Sequence, residues 1–364
     1  MTTVNRRDFI PDVVWPFDTE TDTYGSAVDR ATAPEAWDAV VSADVPLVTQ
    51  WDDGAHAGPE PGRIASSSAS MPKAVATMVK AVGAAPGMRV LDVGTGTGYT
   101  AALLAEIVGP TGSVVSIEVD ERLAETARDN LKRAGVKGVE VITGDGFRGW
   151  PAGAPYERIH VTCGMRVIPR QWVRQCEPGA RIVMPWGTDY TPHDRLITLI
   201  VDDDGTASGR FGVGLSFMKM RAQRLRFDGH ASYAPHGWMD SGRRSDSELT
   251  LSEARHVTKD EGAFAIGLRV PDCILATAED DNGAVSIWLY SGRDRSVALA
   301  AFGPDTAPTI VQSGPRSLWD EVDEARGWWV ARGQPEPERF GLTLRHEEER
   351  AWLDDPEGES WNPS

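Results

Sequence analysis

Residues 89–100 read RVLDVGTGTGYT, and this stretch constrains the chain more than any other. A short apolar strand (Val90, Leu91, Val93) runs into three alternating glycines, Gly94, Gly96 and Gly98, with Thr95 and Thr97 between them. A helical pattern follows at once, from Tyr99 through Val108. Glycine at every second position lets the backbone turn sharply and lets a ligand lie against bare peptide. The helix then points its N-terminal N–H groups at that ligand. Dinucleotide enzymes and S-adenosylmethionine methyltransferases both use such a loop, so its surroundings must decide between them.

The surroundings are acidic. Asp92 stands at the end of the first strand, where a carboxylate can meet the ammonium end of S-adenosylmethionine. A second strand over 113–117 ends in Glu118, twenty residues after Gly98, where an acid can accept both ribose hydroxyls. A third strand over 139–143 ends in Gly144, Asp145 and Gly146, where a side-chain oxygen can reach an adenine amine. A pyrophosphate would be repelled by Asp92, so the pattern favours S-adenosylmethionine over a nicotinamide dinucleotide.

Strands and helices alternate on either side of the loop. Helices are expected over 34–42, from Pro72 (with Val75, Met78, Val79 and Val82 on one face), over 120–134 and over 169–176. Further strands are expected over 157–162, 180–186, 196–201 and 215–220. This alternation predicts an α/β fold, a doubly wound parallel sheet with its ligands at the carboxyl ends of the strands. Residues 1–60 read as an N-terminal arm, extended over 9–17, with one short helix. Residues 61–225 hold the nucleotide fold. Residues 226–364 read as an α+β accessory domain, with strands over 263–270, 284–290, 297–302 and 339–344 and a helix over 315–332. The tail, 345–364, carries seven acids against two arginines, a run that is usually a solvated surface, although Trp352 and Trp361 point to its packing somewhere.

Composition narrows the partners. A net charge of −17 argues against nucleic acid or an anionic membrane. Three widely spaced cysteines fit reduced thiols in a cytoplasm. No Cys-x-x-Cys or His-x-x-x-His pair marks a metal site, and no apolar run is long enough to span a bilayer. Arg6 and Arg7 resemble a twin-arginine export signal, but Pro11 and Asp12 stand where the apolar segment should begin.

Several of these segments together resemble protein-L-isoaspartate O-methyltransferases: SMP at 70–72, DVGTGTG at 92–98, GDG at 144–146, GAPYERI at 153–159 and PGARIVMP at 178–185. The resemblance covers roughly residues 45–225. It implies a class I S-adenosylmethionine-dependent methyltransferase, Rossmann-like, that methylates a carboxylate and releases S-adenosylhomocysteine. In this family the ester then loses methanol to the neighbouring amide and closes to a succinimide. Two departures stand out: about 140 residues follow the fold, and the fourth strand ends VTCG at 161–164. FIPD at 9–12, TQWDDG at 49–54 and SSSASMP at 66–72 resemble an actinobacterial branch that tailors ribosomally made peptides such as lanthipeptides, graspetides and lasso peptides. That branch would make the partner a modified precursor peptide, methylated at an aspartate in a ring to give aspartimide or isoaspartate. The alternatives are a repair enzyme for isoaspartyl proteins, a small-molecule methyltransferase, or a non-catalytic scaffold that binds S-adenosylmethionine and a peptide.

An acceptor carboxylate is already ionised at neutral pH, so methyl transfer to it needs no general base. Catalysis should come from alignment and exclusion of water. By analogy Ser70 orients the acceptor and Thr162 faces the same cleft. Asp92, Gly94, Thr95, Gly96, Thr97, Gly98, Glu118, Asp145 and Gly146 would hold the cofactor. Thr49, Gln50, Trp51, Asp52, Asp53 and Ser68 form either an acceptor-site wall or a strand leading into a turn. Asp52 and Asp53 would repel an anionic acceptor, so their expected partners are substrate backbone N–H groups, or Arg63 or Arg221. Cys163 reads as a small core residue rather than a nucleophile. A monomer is expected.

Overall fold

The structure, a computed structural model, describes residues 3–19, 21–304, 306–346 and 348–363. Its centre is a mixed sheet of ten strands. In spatial order they are Ser360–Trp361, Glu348–Leu353, Phe340–Arg345, Ala207–Gly214, Arg195–Val201, Cys176–Trp186, Tyr156–Val161, Arg89–Val93, Ser113–Glu118 and Val139–Thr143. The last five run parallel. The first six are joined antiparallel.

The parallel half is the expected doubly wound fold. Val90 and Leu91 are both fully buried but join different cores, because successive strand residues face opposite sides of the sheet. On one side Val90 packs with Met78 and Val82 of the helix Pro72–Val82 and with Leu104 and Val108 of the helix Tyr99–Val108. On the other, Leu91 packs with Ile159, Ile182 and Trp172. Pro72 opens its helix at the first turn, and Gly83, at φ +58°, ends it. Asp120 caps the helix Glu121–Arg133 by accepting the N–H groups of Arg122 and Leu123.

The N-terminal residues form a second sheet rather than a loose arm. Val13–Asp18 pairs with Thr23–Tyr24, Val28–Asp29 and Leu47–Trp51, and Leu47–Trp51 pairs with Ala65–Ala69 across the boundary expected at residue 60. Arg6, one half of the export-like pair, is a buried clamp. Its guanidinium donates to the carbonyls of Val41 (2.7 Å), Ser70 (3.1 Å), Val45 and Ala69 (3.3 Å each). Arg7 pairs with Asp38 and lies over the Trp37 ring.

The expected accessory region holds an antiparallel sheet in the order Arg243–Ser245, Thr306–Ser313, Val297–Gly303, Val285–Ser291, Cys273–Glu279. The helix Leu318–Ala331 packs on it through Leu318, Trp319, Val322 and Ala325. Two expectations fail. Residues 263–270, expected as a strand, belong to the helix Asp260–Arg269; Ala263 through Ile266 and Leu268 are all buried, and an unbroken apolar run carries no period to tell helix from strand. Residues 215–220 form no strand, only a bridge between Lys219 and Gly164. The acidic tail packs, as Trp352 and Trp361 suggest: Glu348–Leu353 and Ser360–Trp361 extend the central sheet, with Ala351 and Trp352 buried and Trp361 against Trp328. Glu347 and Ser364 of that tail lie outside the described residues. Among the described residues no helix is long and apolar enough to cross a membrane.

Candidate active site

A cavity of about 930 Å³ opens at the carboxyl ends of Arg89–Val93, Ser113–Glu118 and Tyr156–Val161. The glycine loop is its floor. Gly94, Gly96 and Gly98 have φ of +95°, +53° and +93°, the left-handed region that only glycine enters freely. The N–H groups of Gly94 and Thr95 both bond to the Ile117 carbonyl, which ties the loop to the next strand. A β-carbon on Gly96 would project into the cavity, where its nearest neighbour is the Ser67 hydroxyl at 3.8 Å. Gly98 differs: a β-carbon there would meet Ala127 at an ordinary 3.4 Å, so it is the φ of +93° that calls for glycine.

Glu118 is only 7% exposed and lines the cavity. One carboxylate oxygen accepts the Gly96 N–H at 2.9 Å, the other the Asp120 N–H at 3.1 Å. Burial nevertheless pushes its carboxyl above the ordinary range. A buried carboxylate with lone pairs left over fits a ligand that brings hydroxyl donors, as a ribose does. Next to it, Val119 is 49% exposed, an apolar face at the rim that the sequence reading missed. Asp145 lines the same end and caps Phe147. Gly146 is pressed against Val93, whose Cγ1 lies 2.6 Å from where a β-carbon would stand.

Asp92 needs correction. It is fully buried beneath the loop and does not line the cavity. One oxygen accepts from Ser116 Oγ at 2.7 Å and the other bonds His160 Nδ1 at 2.8 Å. Ser116 Oγ also shares a 2.7 Å bond with Thr95 Oγ1. The carboxylate therefore braces the loop from below instead of facing a cationic ligand.

Opposite the loop, Ser68 and Ser70 line the cavity from the strand Ala65–Ala69 and the entry to the helix at Pro72. Arg6 fixes the Ser70 carbonyl from behind. Thr162 also lines it, but its single hydroxyl proton is committed. Thr162 Oγ1 donates to the Gly94 carbonyl at 2.6 Å, with the Val93 carbonyl at 3.1 Å. It has no donor left for an acceptor carboxylate, so it holds the loop rather than the substrate. The Cys163 thiol is pushed up to about 12, mainly by burial, with the charges of Glu118 and Asp92 adding to it, and is no nucleophile at neutral pH.

The polar cluster after the strand Leu47–Trp51 stands behind the wall, not in it. None of Thr49, Gln50, Trp51, Asp52 and Asp53 lines the cavity. Thr49 bonds Ser67, and Gln50 bonds Ser66 and Asp120. Trp51 is buried against Trp15 and Tyr24. Asp52 accepts the backbone N–H groups of Arg63 and Ile64. Asp53 pairs with Arg221 and, through both oxygens, with Arg224, which fastens the chain after residue 220 over the cavity rim.

Sequence reading also missed the contributions from far along the chain. Phe17, Thr19, Asp22 and Tyr24 reach the cavity from the N-terminal sheet, and Phe217, Lys219, Arg221 and Arg224 from the segment after Gly214. No local pattern marks either group.

A glycine-floored cavity with Glu118 and Asp145 at successive strand ends, on the parallel half of a mixed sheet, fits a class I S-adenosylmethionine-dependent methyltransferase. Comparison with known proteins agrees. The family profile Protein-L-isoaspartate(D-aspartate) O-methyltransferase (PCMT) matches residues 34–219. A protein-L-isoaspartate O-methyltransferase of Pyrococcus horikoshii is 40% identical over 176 residues, 48% of this chain and 73% of that protein. One from Aeropyrum pernix is 44% identical over 142 residues, 39% of this chain and 52% of that protein. A solved protein-L-isoaspartate O-methyltransferase structure shares the fold over 97% of this chain and 93% of its own, at TM-score 0.52 and 21% identity. The chain belongs to the protein-L-isoaspartate O-methyltransferase family, whose members are carboxyl O-methyltransferases.

Proposed function

We propose that the chain transfers a methyl group from S-adenosylmethionine to the free carboxylate of an isoaspartyl residue in a polypeptide. The supporting observation is the polarity of the cavity lining, with Glu118 and Asp145 at the strand ends and Ser68 and Ser70 on the side of the strand Ala65–Ala69 and the helix entry. When bound, S-adenosylmethionine supplies an electrophilic methyl on a sulfonium. Gly94, Thr95, Gly96 and Thr97 would form its floor. Glu118 would accept from the ribose, Asp145 would meet the adenine amine, and Gly146 would keep that end narrow. Ser70 would donate to one acceptor oxygen and leave the other free to attack. The acceptor arrives ionised, so no residue needs to remove a proton. Residues 226–364 would serve as the accessory unit, with 340–361 built into the catalytic sheet.

A second reading is an aspartate in a ribosomally made, ring-constrained peptide. It is favoured by one observation: Phe17, Thr19, Asp22 and Tyr24 line the cavity, yet lie outside the residues the family profile matches. Mass spectrometry after incubation with S-adenosylmethionine and either a linear isoaspartyl peptide or a cyclic aspartyl peptide tests both. Methyl ester or succinimide on the linear isoaspartyl peptide supports the first reading. Modification of the cyclic peptide alone replaces it with the second, and neither product sinks both.

A further inference from the structure

One half-buried cation in the cavity wall, Lys219, has no part in the proposed reaction. Lys219 lines the cavity with its side chain 15% exposed. Two backbone bonds fix it beside the end of the strand that carries Thr162: Gly164 N–H to the Met218 carbonyl at 2.9 Å, and Met220 N–H to the Gly164 carbonyl at 3.0 Å. A β-carbon on Gly164 would crowd Asp194 Oδ2 first and stand 2.8 Å from Lys219 Nζ, so the glycine leaves room for that ion pair. The ammonium is thus held two residues along from Thr162.

Lys219 pairs with Asp194, which is fully buried and also accepts Arg166 at 3.0 Å; Arg166 in turn bonds Asp189 at 3.0 Å. Two cations and two acids balance. An ammonium has three donors, and Asp194 is its one carboxylate partner among the described residues. The other two cations in the wall, Arg221 and Arg224, are held at the rim by Asp53. Glu118 and Asp145 give the cofactor end its negative charge. Lys219 is therefore the deep cation available to an anion that enters from the acceptor side.

We propose that Lys219 is the anchor for the acceptor carboxylate, donating to one of its oxygens and so selecting an acidic residue over its neutral amide. This rests on the proposed carboxylate acceptor. Its groups in view are Asp194, Asp189, Arg166, the protonated Cys163 thiol and Glu118. Burial lowers the Lys219 ammonium to about 8, against the pull of Asp194. It is charged at pH 7, and an arriving carboxylate strengthens that charge.

The test is calorimetry on the full chain saturated with S-adenosylhomocysteine, using an isoaspartyl hexapeptide and the same peptide with that carboxylate replaced by a carboxamide. The wild type should bind the acid at least about tenfold more tightly than the amide at pH 7. Lys219→Met should bring the two within about twofold while S-adenosylhomocysteine affinity is unchanged; Lys219→Arg should keep most of the preference. At pH 9.5 the wild-type preference should fade and that of Lys219→Arg persist. Equal binding of the two peptides by the wild type, or a preference that survives in Lys219→Met, overturns the anchor. Should Lys219→Met fail to fold, the pH comparison between wild type and Lys219→Arg decides in the same way. A wild type that prefers the acid but transfers no methyl to it sinks the proposed reaction and leaves the anchor standing.

Discussion

The Thr162 hydroxyl stands 2.6 Å from the carbonyl oxygen of Gly94, and also 2.6 Å from where a β-carbon on that glycine would be. One side chain thus both fastens the loop and forbids any enlargement of it. Gly94→Ala must displace Thr162 and hold alanine at φ +95°. We expect a loss of about 2–3 kcal/mol of stability and of most S-adenosylhomocysteine binding. Thr162→Val removes only the hydrogen bonds and should cost about 1 kcal/mol, with a milder loss of affinity. Urea unfolding and calorimetry on the two variants check the order.

Ser70 should affect turnover and not the cofactor. Ser70→Ala is expected to leave S-adenosylhomocysteine affinity unchanged and to lower kcat for an isoaspartyl peptide by roughly 10–100-fold. Unchanged kcat would remove Ser70 from the reaction. Arg6→Ala, which frees the Ser70 carbonyl and opens a buried hole, should lower the melting temperature and kcat together.

Asp92 and Glu118 should separate by assay. Asp92→Ala leaves His160 and Ser116 without their buried partner and is expected to cost about 3 kcal/mol. Glu118→Gln keeps the shape and relieves a carboxyl that burial already disfavours, at the cost of one backbone bond, since the amide nitrogen cannot accept from Gly96 or Asp120. It should retain the fold while S-adenosylhomocysteine affinity falls about tenfold or more. Equal loss of stability in both variants would contradict the division of labour between them.

Glu349 should set a pH slope in stability. It is 7% exposed, accepts the Ile168 N–H, and burial pushes its carboxyl from 4.5 up to about 7. A raised acid binds its proton in the folded state first. Its contribution is therefore fully present below 4.5 and is lost as pH rises through 7. The loss is about 3 kcal/mol by linkage. Glu349→Gln should flatten that part of the curve and be the more stable protein at pH 8. Denaturant titrations at pH 5, 6, 7 and 8 measure the difference.

The loop and the strand-end acids were readable because their geometry is local: a strand, a glycine turn and an acid lie within a few residues of each other. Asp92 shows the limit. Its position at a strand end was read correctly, but which way it faced depended on Ser116 and His160, 24 and 68 residues away. Phe17 and Lys219 reach the cavity through pairings that leave no period in the sequence. The helix Asp260–Arg269 was lost because an apolar run buried on all sides looks the same in either conformation. The strands in the tail were hidden by charge: Glu348 and Arg350 alternate with buried Glu349 and Ala351, a half-exposed edge that reads as solvent.

Phe340–Arg345 pairs with Ala207–Gly214 although well over a hundred residues separate them. While the chain emerges from a ribosome, the methyltransferase sheet has an uncovered margin until the accessory region has been synthesised and has folded back. A stalled or clipped chain would expose Phe211 and Leu199 beside that open row of amides. Proteases and chaperones would meet it there, so the catalytic sheet is closed only once residues 340–345 have been made and have paired with 207–214.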